Sequence, residues 1–370
     1  MTRYRAALTT LGAWWAVALC LSIHLGCHCW PGTLWVQQCF GAEVENPIVP
    51  ADAKLELLHE RSSAIRGGLT EGPAAAPDGS IYFSDIPEGP DHGQILRYDP
   101  KTGRTSTFTA DSGQANGLAF DSKGGLIACE GVDGGGRRVS RWDIKTGKSV
   151  TLADNIGGKR FNAPNDVCLD KADRIYFTDP KYVGTEAREL EHRAVYRIDT
   201  DGRVSELTHD VEKPNGIAIS PDQKTIYVAD TNNGADGPLP AGAPKPKKGA
   251  MKVYAFPLSA EGKIDGPRRT VIDFGADDGC DGMTVDSAGN LYLAARNAKR
   301  PGILVIDPNG KELAYIATGK PQIADAKTGA DAPKATGLPS NCEFGVGDDR
   351  HTLYITVDTS LYKIRLKTGR

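Results

Sequence analysis

Residues 77–85 read PDGSIYFSD, a turn rich in Asp, Gly and Ser that runs straight into a short β-branched and aromatic strand. The phrase returns as DSKGGLIACE from Asp121, DKADRIYFTD from Asp170, SPDQKTIYVAD from Ser220, DSAGNLYLAAR from Asp286 and DDRHTLYITVD from Asp348. A spacing of about 45 to 65 residues is too long for leucine-rich or hexapeptide solenoids and matches a propeller blade. Each copy is followed by a second strand-like run closed by a Gly turn, such as QILRYDPKTGR, AVYRIDTDGR or GILVIDPNGK, which is how a hairpin reads. No sustained 3.6-residue apolar stripe follows the first 42 residues, so helices are minor, and hairpins without crossover helices exclude a parallel-sheet α/β protein. The expected fold is therefore all-β, a six-bladed β-propeller with four-stranded antiparallel blades.

A propeller must close between its first and last blades. The segment Lys54 to His59 has strand character and precedes the first repeat, and the chain stops soon after Arg365. The N-terminal strand is thus expected to become the outer strand of the last blade. Two stretches break the rhythm, Gly234 to Lys248 and Ala324 to Gly337. Both are too polar and too rich in Pro, Gly or Lys for strands, and are expected to be loops inserted between blades.

Residues 1–42 stand apart. Arg3 and Arg5 precede an apolar run from Ala6 to Cys27, and Phe40-Gly41-Ala42 ends the segment in small residues. This reads as an export signal, or as a retained N-terminal anchor, ahead of a single propeller domain over 43–370, and places the mature protein in the periplasm or outside the cell. Removing Arg3 and Arg5 from the 44 basic side chains leaves 42 against 47 acidic ones, with no basic stripe. A nucleic-acid partner is disfavoured, and a monomer acting on a small molecule is expected. Four of the eight cysteines lie in the leader. The others, Cys129, Cys168, Cys280 and Cys342, are spread widely in strand-like contexts and are expected to be buried free thiols, neither a disulfide scaffold nor a zinc site.

Ten to twelve residues before each Ile-Tyr-Phe-type strand stands a polar residue: Glu71, Asn116, Asn165, Asn215, Asp281 and Asn341. Equivalent positions in a propeller share radius and height, so six such side chains at the start of the innermost strands converge on one mouth of the central channel. Asn-Gly and Asp-Gly are ordinary turn pairs, and each residue alone reads as a turn former. Turn chemistry does not ask for Glu71, however, and a buried ring of carboxylates and amides is costly without a partner. One hard divalent cation answers that cost. Two carboxylates balance its charge, and the oxygen-only set suits Ca2+ best, with Mn2+, Mg2+ or Zn2+ as other candidates.

The phrases TEGPAAAPDGSIYFSD, RFNAPNDVCLDKADRIYFTDP, KPNGIAISPD, GCDGMTVDSAGNLYLA and PSNCEFGVGDDRHTLYIT, in that order over Leu69 to Leu366, resemble those of the senescence marker protein 30, gluconolactonase and luciferin-regenerating enzyme family. The resemblance implies a six-bladed propeller with one divalent ion at the channel mouth. Carried over by motif, the ligands are Glu71, Asn165, Asn215 and Asp281. RFNAPND offers both Asn162 and Asn165 for the third-blade ligand. Arg160 and Asn162 of the same phrase are implied to bind substrate, and Asn116 and Asn341 to orient substrate or water beside the ion.

The implied chemistry is hydrolysis of a small sugar lactone, with the ion polarising the carbonyl and Asp281 as the base, or with direct attack by ion-bound water. There is no GxSxG motif, and the seven histidines form no constellation with Ser or Cys, so covalent catalysis is disfavoured. A non-catalytic binding propeller, or a hydrolase of other lactones or phosphotriesters, is the alternative.

Overall fold

The computed structural model describes residues 45–62, 68–87, 92–131, 134–237, 244, 246–319 and 336–370. Residues 1–42, for which an export signal or anchor is expected, lie outside the described residues, as do part of Gly234 to Lys248 and nearly all of Ala324 to Gly337. Glu45–Arg370 forms one compact unit, and no described helix is long and apolar enough to cross a membrane.

Six four-stranded antiparallel sheets follow one another along the chain. Blade 1 uses Leu69–Ala75, Ile81–Ile86, Gln94–Asp99 and Arg104–Thr109. Blade 2 uses Ala115–Phe120, Leu126–Glu130, Arg138–Asp143 and Lys148–Ala153. Blade 3 uses Val167–Leu169, Ile175–Asp179, Ala194–Ile198 and Val204–Thr208. Blade 4 uses Pro214–Ile219, Thr225–Thr231, Met251–Pro257 and Arg269–Asp273. Blade 5 uses Cys280–Val285, Leu291–Ala295, Gly302–Ile306 and Glu312–Ala317. Blade 6 has only three strands of its own, Pro339–Phe344, Thr352–Val357 and Ser360–Arg365, and Glu56–Glu60 supplies the fourth by pairing antiparallel with Ser360–Arg365. This is the closure expected from the Lys54 to His59 segment.

The recurring phrase has a local cause. In DKADRIYF the Asp170 carboxylate accepts from the peptide N of Ala172 (2.9 Å) and Arg174 (3.0 Å), while Tyr176 Oη donates to its other oxygen (2.9 Å). Asp286 repeats the pattern with Ala288 (3.0 Å), Asn290 (2.9 Å) and Tyr292 (3.1 Å). The Asp pins the turn through its own backbone, and the Tyr two positions into the strand ties turn to sheet.

Six apolar clusters fill the six blade interfaces. Tyr176 and Val195 of blade 3 pack with Ile217 and Val228 of blade 4, for example, and Ile81 and Phe83 of blade 1 with Tyr354 and Leu361 of blade 6. Both faces of each blade are thus covered, and removal of this area from water supplies most of the drive to close the ring. The four cysteines of this unit are free, and Cys129, Cys280 and Cys342 are buried.

One expectation is corrected. Gly234 to Lys248 does not separate two blades. It joins the second and third strands of blade 4, Thr225–Thr231 and Met251–Pro257. A long insertion at a hairpin tip leaves the strand ladder intact, so the sequence rhythm breaks without the blade breaking. The stretch from Ala324 does fall between the last strand of blade 5 and the first of blade 6.

Candidate active site

Five of the six innermost strands carry an irregularity at the slot of the polar residue. The register shifts between Glu71 and Ala74, Ala115 and Leu118, Pro214 and Ile217, Cys280 and Met283, and Pro339 and Asn341. Bulges re-aim side chains, and these sit at Glu71, Asn116, Asn215, Asp281 and Asn341. The residue after the polar one is Gly72, Gly117, Gly216 and Gly282 in four blades, for a steric reason. A Cβ on Gly216 would lie 2.3 Å from Asp281 O, and one on Gly282 would lie 2.0 Å from Asn341 Cγ. The inner strands approach so closely at the mouth that only glycine fits.

The mouth gathers most of the expected residues. Asn215 Nδ2 donates to Asp281 Oδ1 at 2.7 Å. Glu71 is buried, takes a hydrogen bond from Gly72 N on Oε2 (3.0 Å), and lies in the field of the Asp281 and Asp166 carboxylates. Burial and those two neighbours push its pKa well above the ordinary range. Asn341 is buried, and its Nδ2 is 3.5 Å from Asp166 Oδ1. Asp281 is also raised by burial, against the opposing pull of Arg296 and the Asn215 amide. Asn116 is half-buried at its slot. Asn165 is half-buried too, fixed through its backbone, with its N donating to Thr178 O (2.8 Å) and its O accepting from Gly117 N (2.7 Å).

Asn162 and Arg160 are placed differently. Asn162 is fully enclosed, its Nδ2 donating to the carbonyls of Asp179 (3.2 Å) and His192 (3.1 Å), while its N donates to Asp179 Oδ2 (2.8 Å). Its Nδ2 is spent on two carbonyls that brace the loop around Asn165, while its Oδ1 is buried without a hydrogen-bond partner among the described residues. Arg160 is exposed on the short Asn155–Arg160 hairpin, where Nη2 donates to Gly136 O (2.6 Å) and the peptide N to Glu189 Oε2 (2.9 Å). It ties a blade-3 loop to a blade-2 loop.

Three residues join the mouth without having been singled out in the sequence. Asp166 is buried in the slot that holds glycine in four other blades. Its oxygens accept from Val167 N (3.0 Å) and Ile217 N (3.2 Å), and burial pushes its pKa up to about 7. Arg296 Nη1 donates to Asp281 Oδ2 (3.0 Å). Tyr182 lies with its hydroxyl against Asn215, held by the carbonyls of Thr231 (3.0 Å) and Lys213 (3.3 Å). The sequence signal for Asp166 was an acid in a glycine column. The signal for Arg296 was a cation ending a repeat that elsewhere places Asp85, Glu130, Asp179 or Asp230 near its end.

Among the described residues no three His, Cys, Asp or Glu side chains form a metal cluster by themselves. The donor set at the mouth is instead mixed, with the carboxylates of Glu71, Asp166 and Asp281 beside the amides of Asn215 and Asn341. The three carboxylates are buried, each amide adds an oxygen, and a single guanidinium, that of Arg296, pairs with Asp281 and lies in the field of Glu71. Such a set fits a hard divalent cation and is unsuited to a soft one. Below the mouth, the inner strands line a channel of about 500 Å³, walled by residues such as Ala74, Leu118 and Val167 and open toward the turns at Lys171 and Ser287.

The model of the SMP-30/gluconolactonase/LRE-like region matches residues 69–240 and 246–359. The chain belongs to that family. It is 28% identical over 323 residues to the gluconolactonase of Zymomonas mobilis, covering 81% of this chain and 79% of that protein. With the pentonolactonase of Haloferax volcanii it shares 29% over 292 residues, covering 78% and 81%. Among solved structures, a gluconolactonase from Xanthomonas campestris superposes with a TM-score of 0.64 at 27% identity, covering 85% of this chain and 90% of that one. A calcium-binding regucalcin from Agrobacterium tumefaciens, at 20% identity and a TM-score of 0.61 over 85% and 95%, shares the fold.

Proposed function

We propose that this propeller hydrolyses a small sugar lactone, with one divalent cation, calcium first among the candidates, held by Glu71, Asn165, Asn215 and Asp281 at the channel mouth. What supports the reading is the convergence of buried carboxylates and amides on one mouth, in a family whose similar members include a gluconolactonase and a pentonolactonase. When bound, the cation would supply electrophilic polarisation of the lactone carbonyl.

The chain's own residues divide the remaining work. Asp281 is fixed on both oxygens, by Asn215 on Oδ1 and by Arg296 on Oδ2, so its carboxylate is oriented to receive the proton of the attacking water. Glu71 is aligned by Gly72 N and is too deep in the ring to move freely. Asn116 and Asn341 offer amide groups to substrate hydroxyls or water. The glycine column lets the strands crowd the mouth, keeping bulk water from the reacting group.

The test combines metal analysis of the purified protein with a pH-indicator assay on a panel of aldonolactones. Acid release that is lost on chelation and restored by calcium is the expected result. A panel with no turnover in calcium-replete protein would replace the lactonase with a binding propeller.

A further inference from the structure

Arg296 follows the second strand of blade 5, and its peptide N donates to Gly279 O (3.1 Å), which keeps the side chain beside Asp281. Only Nη1 is engaged there, donating to Asp281 Oδ2 (3.0 Å) and Pro339 O (3.3 Å), and the side chain keeps 30% exposure. Among the described residues, Nε and Nη2 have no partner. Arg61 gives the contrast within the same molecule. Its Nε and Nη2 both reach Asp85 Oδ1 and its side chain is 2% exposed, a closed ion pair. An arginine serving only to neutralise a carboxylate is expected to close in that way. Arg296 instead spends one nitrogen on Asp281 and leaves the opposite edge of a rigid, planar donor fork open at the mouth, a geometry suited to two oxygens of one carboxyl group.

We propose that Arg296 is a catalytic residue of the lactonase reaction, receiving on its Nε–Nη2 edge the oxygens of the reacting carboxyl group. This rests on the lactonase reading. The water oxygen bonds to the carbonyl carbon while its proton passes to Asp281, and the π pair moves onto the exocyclic oxygen, which Arg296 receives as an oxyanion. Return of that pair breaks the bond to the ring oxygen, which leaves as the hydroxyl of the open acid by taking back the proton that Asp281 received from water. One water is consumed, the new carboxyl group releases its proton to solvent, and the product carboxylate lies on the same guanidinium edge until it departs.

Calcium-loaded full-length Arg296→Lys and Arg296→Gln are compared with wild type on a neutral aldonolactone. Calorimetry of calcium binding and product inhibition by the corresponding aldonate complete the experiment. The expected result is a kcat lower by about 10²–10³ with little change in KM, as for loss of an oxyanion donor. The aldonate inhibition constant should rise at least about tenfold in both variants, while Arg296→Lys binds calcium as wild type does. Wild-type kcat in Arg296→Lys overturns the proposal. So does a loss of activity that follows calcium affinity while aldonate inhibition stays unchanged, since Arg296 would then serve Asp281 alone. Wild type inert toward every lactone overturns the underlying reading, and this proposal with it.

Discussion

Asp281 is the residue on which the mouth is centred, because one oxygen takes the Asn215 amide and the other the Arg296 guanidinium. Asp281→Asn keeps the volume and removes the charge. Turnover should fall at least about a hundredfold and calcium affinity about 10- to 100-fold, measured by steady-state kinetics and calorimetry. The calcium-free fold should survive intact by circular dichroism, because a buried carboxylate is lost and no packing with it. Normal lactone hydrolysis by this variant would remove Asp281 from the chemistry. At this scale the sequence was readable where chemistry departed from the repeat, as Glu71 and Asp281 do in slots that otherwise hold Asn. Asp166 is easily passed over because Asn-Asp reads as a turn pair, and the crowding at Gly72, Gly117, Gly216 and Gly282 gives the physical reason why an acid in that glycine column matters. Asn162 sits in the same phrase, and there the fold turns its Nδ2 inward to the carbonyls of Asp179 and His192.

Strands and turns were far more legible than the site, because the turn-strand device is local and recurs in every blade, with a Tyr in five of them and Ile127 in its place in blade 2. The turn Asp bonds its own backbone, so nothing distant is needed to infer it. The position of the Gly234 to Lys248 insertion was not legible, since a hairpin tip and an interblade joint look alike in composition. Closure depends on a non-local contact whose strand, Glu56–Glu60, was visible but whose lock was not. Arg61 follows that strand, and its guanidinium reaches the Asp85 carboxylate of blade 1, both side chains being buried. Thr70 of blade 1 adds a bond from N to Asp358 O (2.8 Å) and one from Oγ1 to Ser360 O (2.9 Å), tying the seam to blade 6. Arg61→Ala leaves the Asp85 charge enclosed, with Gln94 the remaining side-chain donor among the described residues (3.0 Å), and should cost about 3–5 kcal/mol in chemical denaturation. The double variant Arg61→Leu with Asp85→Leu should recover much of that loss, since two apolar groups need no partner. A single variant as stable as wild type would mean that the seam is held by strand pairing alone.

For the whole molecule, the mouth is a place where the fold accepts electrostatic cost. Burial and mutual repulsion raise Glu71, burial raises Asp281 against the pull of Arg296, and burial lifts Asp166 to about 7. A carboxyl whose pKa is higher folded than unfolded takes up a proton on folding. Its burden is absent below the unfolded value near 3.8 and is fully felt above the folded one, about 7 for Asp166. Chelated protein should therefore lose stability as pH rises from about 4 to about 7, the reverse of the usual trend for ion-paired carboxylates. A cation bound only by the folded state cancels the repulsion and adds stability by mass action, about 2.7 kcal/mol at a hundred times its dissociation constant. Melting curves recorded across that range, in chelator and in excess calcium, should diverge as pH rises and converge near pH 4, where protonated carboxyls no longer hold the ion. Curves that stay parallel at every pH would mean that the ion, if it binds, binds away from Glu71, Asp166 and Asp281.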